Sequence, residues 1–177
     1  MNAIGIDLNA VGNHEFDHGV DELKRLAQGG CAPASSTHRQ SCPRLPYTGA
    51  RFPFLAANVL DRSTDQPIFA PTFVKSFGGV RVGFIGVVTR STPGIVAPSG
   101  VAGVRFVDEA RVLNEQAKAL QAQGVHAIVA VVHEGGDAEG GIDGCANPRG
   151  AIFEIERELD TSIDAVLSAH THQGYSC

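Results

Sequence analysis

Three stretches of this chain share one pattern: an apolar run of strand length that ends abruptly in a polar cluster containing histidine. Leu8 to Val11 leads into Gly12-Asn13-His14, Val125 to Val132 into His133-Glu134-Gly135-Gly136, and Ile163 to Ala169 into His170-Thr171-His172. Short runs rich in β-branched residues read as strands, and the unbroken apolar character of the second predicts burial on both faces. Helical spacing lies between them. Asp108 to Gln123 sets Ala110, Leu113, Ala117 and Leu120 on one face with Gly124 as a stop, and Gly150 to Asp160 repeats the pattern with Ile152, Ile155 and Leu159. Val20, Leu23 and Ala27 predict a further helix ending near Gly29. Strands alternating with helices imply βαβ units, whose chemistry gathers beyond the carboxyl ends of the strands. The three histidine clusters are expected to share that edge.

The rest of the chain is consistent with this frame. Phe73 to Phe77 and Val80 to Val88 flank Gly78-Gly79, a pair suited to the positive φ angles of a tight β-hairpin, so the sheet system is expected to be mixed. Gly29 to Phe52, rich in Pro, Ser, Arg and Gly, has no periodicity and reads as a long loop. At 177 residues, a domain buries roughly 70% of its unfolded surface and needs neither metal nor disulfide merely to hold a core. A net charge of −5 with scattered Lys and Arg offers no basic stripe for a nucleic acid polymer. The longest apolar stretches, Ala127 to Val132 and Val82 to Val88, fall far short of the ~20 residues that span a bilayer. No signal-peptide pattern follows Met1. Cys31, Cys42, Cys145 and Cys177 contain no C-x-x-C pair, which leaves free thiols or two disulfides; a Cys31 to Cys42 bond would close a short loop within the irregular segment.

Asn13, His14, His133, His170 and His172 carry the chemistry. Imidazole is a common ligand for zinc, manganese and iron, and a carboxamide oxygen can complete a site for a divalent ion. A lone histidine is ordinarily a plain surface or core residue, and His18, His38 and His126, which end no apolar run, are read that way. Five polar residues at the ends of three strands are a different matter. Asp17 has two readings: it can hold the His14 imidazole in one tautomer and favour its protonated form, or it can cap the helix that begins near Gly19. Glu134 and Asp137 read as solvated loop carboxylates. Gly83-Phe84-Ile85-Gly86 lacks the third glycine of a dinucleotide fingerprint and reads as a close-packed strand.

Gly12-Asn13-His14-Glu15-Phe16-Asp17, His133-Glu134-Gly135-Gly136 and Ala169-His170-Thr171-His172-Gln173 resemble, in order and spacing, the later metal-binding blocks of the calcineurin-like metallophosphoesterases. The chain as a whole resembles the catalytic domain of the 5'-nucleotidase and UDP-sugar hydrolase branch; Phe52 to Asp61 and Gly79 to Thr89 are also similar. The resemblance implies an α/β fold, the four-layer α/β/β/α metallophosphatase sandwich, with two divalent ions (zinc, manganese or similar) at the strand ends. It implies that Asn13, His133 and His170 hold one ion and that His172 serves the other. His14 would stabilise charge or protonate the leaving group, oriented by Asp17. The expected reaction is attack of a metal-activated water on a nucleotide phosphoester, with the two ions roughly 3.5 to 4 Å apart. The expected setting is extracellular or the cell envelope, where Cys31–Cys42 and Cys145–Cys177, of three possible connectivities, would form.

The departures carry weight. The family's earlier blocks, D-x-H on the first strand and G-D before the second, supply two ligands and the bridging carboxylate, and neither is present. Residues 1–177 are therefore expected to be a partial catalytic domain without the C-terminal nucleotide-binding domain, able to hold one ion and impaired as a catalyst. Three readings stand beside one another: a nucleotide phosphoester hydrolase of the 5'-nucleotidase type, a non-catalytic metal or nucleotide binder, and a structural domain tied by zinc.

Overall fold

A computed structural model describes residues 1–32, 41–42 and 45–177. His38 and part of the irregular loop lie outside the described residues. In chain order the elements begin with β1 (Asn9–Ala10), α1 (Val20–Gln28), β2 (Phe54–Leu55), β3 (Val59–Asp61), β4 (Thr72–Phe77) and β5 (Val80–Val88). Then come α2 (Thr92–Ile95), β6 (Val104–Phe106), α3 (Glu109–Ala122), β7 (Ala127–His133), β8 (Asp137–Glu139), β9 (Ala146–Arg149), α4 (Ala151–Arg157) and β10 (Ala165–Ser168). Single 3-10 turns span Asn2–Ile4, Asn13–Phe16 and Pro98–Val101.

Local chemistry accounts for the principal elements. Gly78 and Gly79 at φ 56° and 90° turn β4 into β5, a hairpin whose primed turn matches the twist of its strands. The Asp108 side chain accepts the Arg111 N–H (2.9 Å) and caps α3, while Gly124 at φ 76° follows its end. Gly29, at φ 96°, likewise closes α1.

The main sheet runs β10-β7-β5-β4, with β10, β7 and β5 parallel and β4 antiparallel at one edge. One face packs Ile85, Val87, Ile128, Ala130 and Val132 against Leu113, Ala117 and Leu120 of α3. The glycines at 83 and 86 are close-packed: a Cβ on Gly83 would lie 2.7 Å from Leu120 Cδ1, and one on Gly86 would overlap Leu55. The opposite face differs from expectation. β7 alternates, with Ile128, Ala130 and Val132 buried but Ala127, Val129 and Val131 only half-buried, and Leu167 on β10 is 58% exposed. The unbroken apolar run predicts burial on both faces, but among the described residues α3 covers only one side of it.

Smaller pairings complete the frame: β1 with β2 in parallel, β3 with β6 and β8 with β9 antiparallel. A second core gathers Val11, Phe16, Leu23, Val59, Val88 and Val104. Asn58, fully buried, joins the two cores. Its Nδ2 donates to the carbonyls of Val88 (2.6 Å) and Val107 (3.1 Å), and its Oδ1 accepts the Val88 N–H (3.0 Å). Disulfides link Cys31 to Cys42 and Cys145 to Cys177. Among the described residues, no helix is long and apolar enough to cross a membrane.

Candidate metal centre

Parallel strands β5, β7 and β10 deliver their carboxyl ends to one edge of the main sheet, and Asn13, which follows β1, meets His133 at the end of β7 and His170 after β10 there. Asn13 opens the 3-10 turn after β1. That turn is anchored by Phe16, which is fully buried with its ring set edge-on to Phe106 (5.2 Å between centroids). His133 is the last residue of β7, and its carbonyl accepts the Thr89 N–H (3.0 Å) from the end of β5. His170 follows β10 in a three-residue turn closed by the Thr171 N–H to the Ala169 carbonyl (2.9 Å), with His170 itself at φ 74°. A turn of this hand is rare and strained for a residue with a Cβ, at a cost of about 1 to 3 kcal/mol.

Three polar atoms converge as a result. His133 Nε2 lies 2.8 Å from Asn13 Oδ1, His170 Nδ1 lies 3.1 Å from the same oxygen, and the two ring nitrogens stand 3.2 Å apart. The amide oxygen only accepts, so a ring nitrogen that carries a hydrogen can donate a hydrogen bond to it, while the two nitrogens share a poor contact. Read as lone pairs, the same atoms suit one small divalent ion, whose neighbouring donors sit roughly 2.8 to 3.4 Å apart in octahedral or tetrahedral surroundings. Burial, reinforced by the neighbouring His170, pushes His133 below the ordinary histidine range, against the pull of Glu15 and Glu134. The neutral ring is the form that ligates. The donor set therefore fits a metal. It consists of two imidazoles and a carboxamide; among the described residues, no three His, Cys, Asp or Glu side chains are grouped so that they could hold a metal ion.

Close backbone approach sets these positions. A Cβ on Gly12 would lie 2.7 Å from His133 Cε1 and 2.8 Å from Glu15 Oε2, and the Gly12 N–H donates to that carboxylate (2.8 Å). A Cβ on Gly135 would overlap the Ala169 carbonyl and the Thr171 hydroxyl. Gly12, Glu15, Gly135 and Thr171 were not singled out by sequence reasoning. They sit inside the motifs, but a glycine's role in admitting a neighbouring segment is visible only once the segments are assembled.

The remaining site residues lie at the rim. His14 Nδ1 donates to Asp17 Oδ2 (2.9 Å), an ionised carboxylate being an acceptor only. Asp17 makes this bond and does not cap α1, whose N-cap is Gly19 with no side-chain bond. The His14 side chain is 79% exposed. His172, at φ 56°, is exposed and is not brought to the inner three. His18 and His126 are exposed. Asp137 pairs with Arg149 across the β8–β9 hairpin, and Glu134 Oε1 accepts the Gly135 N–H (2.9 Å). A cleft of about 540 Å³ opens at the other end of the sheet, lined by Val80, Arg81, His126, Ile128 and Asp164. It lies at the amino ends of β5 and β7, away from the converging donors.

No family model matches the chain. Known relatives do. It is 36% identical over 98% of its length to endonuclease YhcR of Bacillus subtilis (strain 168), of which it covers 13%. It is 32% identical over 97% of its length to the 5'-nucleotidase of Rattus norvegicus, of which it covers 24%. The chain thus spans no more than about a quarter of these two relatives. Among solved structures, the calcineurin-like phosphoesterase YfkN from Bacillus subtilis superposes with a TM-score of 0.70 at 26% identity, covering 97% of this chain and 47% of that one. Across nearly its whole length, the chain is similar to a stretch of these 5'-nucleotidase and calcineurin-like phosphoesterase relatives, and its mixed α/β fold matches theirs.

Proposed function

We propose that this protein binds divalent metal and hydrolyses the phosphoester of a nucleotide. The observation that carries the reading is the convergence of Asn13 Oδ1, His133 Nε2 and His170 Nδ1 within 3.2 Å of one another at the strand ends. These three would hold one ion, and His172 would serve a second. An ion bound there supplies positive charge to a phosphoryl oxygen and acidifies a water molecule. The chain's own rim completes the chemistry. His14, whose Nδ1–H is held by Asp17, presents Nε2 to solvent; in the protonated ring that nitrogen can donate a hydrogen bond to a phosphoryl oxygen or a proton to the departing ester oxygen.

The 177 residues alone are a weak catalyst on this reading. They contain neither D-x-H nor the earlier G-D block, so no carboxylate bridges two cations and neutralises their mutual repulsion. Two disulfides favour an oxidising, extracellular or envelope setting. A relative called an endonuclease makes a polymer phosphodiester the natural rival substrate, but the net charge of −5 argues for a mononucleotide.

The test is metal analysis of the purified chain together with hydrolysis of AMP and of single-stranded DNA in manganese. The expected result is one exchangeable divalent ion per chain, weakened by inorganic phosphate, with slow release of phosphate from AMP and none from DNA. Absence of bound metal would sink the reading. A zinc ion that neither exchanges nor responds to phosphate would mark a structural tie, and AMP turnover at the rate of intact relatives would overturn the impairment.

A further inference from the structure

Thr171 stands between the two histidines of the last cluster, and none of the chemistry above uses its side chain. Its hydroxyl donates to the Gly136 carbonyl (2.6 Å). The β7–β10 ladder ends at the pair Ser168 and Val132, so the segments carrying His133 and His170 leave the sheet side by side without further ladder bonds. Two contacts continue the connection: the Ala169 N–H to the Glu134 carbonyl (3.3 Å) and the Thr171 hydroxyl to Gly136. Between them, Gly135 presents no Cβ, which lets the Ala169 carbonyl and the Thr171 side chain lie against its backbone. A left-handed conformation such as that of His170, at φ 74°, persists only where the surroundings over-determine it.

We propose that Thr171 is a positioning residue of the metal centre. Its bond to Gly136 holds His170 in the left-handed turn and so aims Nδ1 at Asn13 Oδ1 and His133 Nε2. The inference rests on the metal-centre reading of those three atoms. Thr171 is exposed although Gly136 is buried, so water entering from the Thr171 side can take over part of the lost bond to the Gly136 carbonyl, at a modest cost in stability. Water cannot replace the covalent link from that hydroxyl to the backbone beside His170. A merely structural role and a positioning role therefore separate: the first would show in unfolding, the second in ring placement and metal affinity.

The experiment compares Thr171→Val, which keeps shape and removes the hydroxyl, with Thr171→Ser, which keeps the hydroxyl. Cobalt(II) is titrated into each full-length chain and followed by its visible ligand-field bands. The contact between the His133 and His170 rings, whose centroids lie 5.0 Å apart, is read by NMR in the metal-free proteins. Thr171→Val should weaken cobalt binding about 10- to 100-fold, the usual effect of losing a group that orients a ligand, and Thr171→Ser should stay within about threefold of wild type. The ring contact should vanish in the first variant and survive in the second. Wild-type affinity and an intact ring contact in Thr171→Val would overturn the proposal. If the wild type binds no cobalt, the metal reading fails, and a ring contact retained in Thr171→Val still overturns the role of Thr171. Should Thr171→Val not fold, Thr171→Ala carries the same comparison, because it brings no branched side chain against Gly135.

Discussion

The candidate centre has an inner and an outer half, built by different means. Asn13 is 4% exposed and touches both inner histidines, whereas the His14 side chain beside it is 79% exposed and touches Asp17. The inner atoms are placed by backbone: a 3-10 turn anchored by buried Phe16, the end of β7, and a left-handed turn at His170, packed together through two glycines. The outer groups are placed by one side-chain bond in water. Changes to the inner half should therefore register in stability and metal binding together, and changes to the outer half only in chemistry.

The largest effect should come from Gly135→Ala. Its Cβ would meet the Ala169 carbonyl, which is backbone and cannot swing aside as a flexible side chain would. Denaturant unfolding should show a loss of about 3 kcal/mol or more, at the upper end of overpacking costs, together with loss of cobalt binding. Next comes Gly12→Ala, whose Cβ meets an imidazole and a glutamate that can both shift. About 1 to 3 kcal/mol is expected, with metal affinity falling because His133 is the group displaced. Equal stability losses in the two variants would break the distinction between backbone and side-chain obstacles.

Much of the frame was legible in the sequence because it rests on local signals. The Gly78-Gly79 hairpin, the capped amphipathic α3 and the three strands ending in histidine each depend on residues near in sequence, and the structure has them. What escaped depends on assembly. The β8–β9 hairpin arises from a polar, glycine-rich segment without periodicity, held by Arg149 against Asp137 and Glu139. The one-sided burial of β7 reflects what packs on it, which its own apolar run does not encode. Asn58 reads as one polar residue in an apolar stretch, yet its side chain satisfies three backbone groups from two distant segments. Within the site, residue types pointed to ligands, but which atoms converge depended on Gly12 and Gly135 admitting their neighbours.

A smaller effect lies beneath the inner half. Glu109 is 3% exposed, and its carboxylate accepts the Arg90 N–H (2.6 Å) at the end of β5, beside the Thr89 bond to His133. Burial pushes its carboxyl above the ordinary value of 4.5, with the Arg90 N–H pulling the other way. The folded state thus holds a proton more readily than the unfolded chain. The stability this group contributes is full below 4.5 and is lost as pH rises through the raised value. Glu109→Gln keeps an acceptor oxygen and removes the titration. Urea midpoints compared from neutrality down to mild acid should show the wild type gaining on the variant as pH falls. A difference that stays flat, or moves the other way, would show that the buried carboxylate is not strained by its surroundings.

The smallest change in stability should follow His14→Ala and Asp17→Asn, and its smallness is informative. An exposed pair of this kind contributes about 0 to 1 kcal/mol, since water screens the charges and both side chains lose rotamer freedom in meeting. Neither variant alters Gly12, Asn13 or the Phe16 anchor. Unfolding midpoints and cobalt stoichiometry should therefore match wild type, while nucleotide hydrolysis in any form of the protein that turns over should fall by about 10²- to 10⁴-fold for His14→Ala, the range for a lost general acid. Asp17→Asn should fall less, because the amide can still contact the ring but cannot carry the charge that fixes its tautomer. Loss of cobalt binding in His14→Ala would place His14 among the groups that build the inner half and would erase the boundary between the two halves.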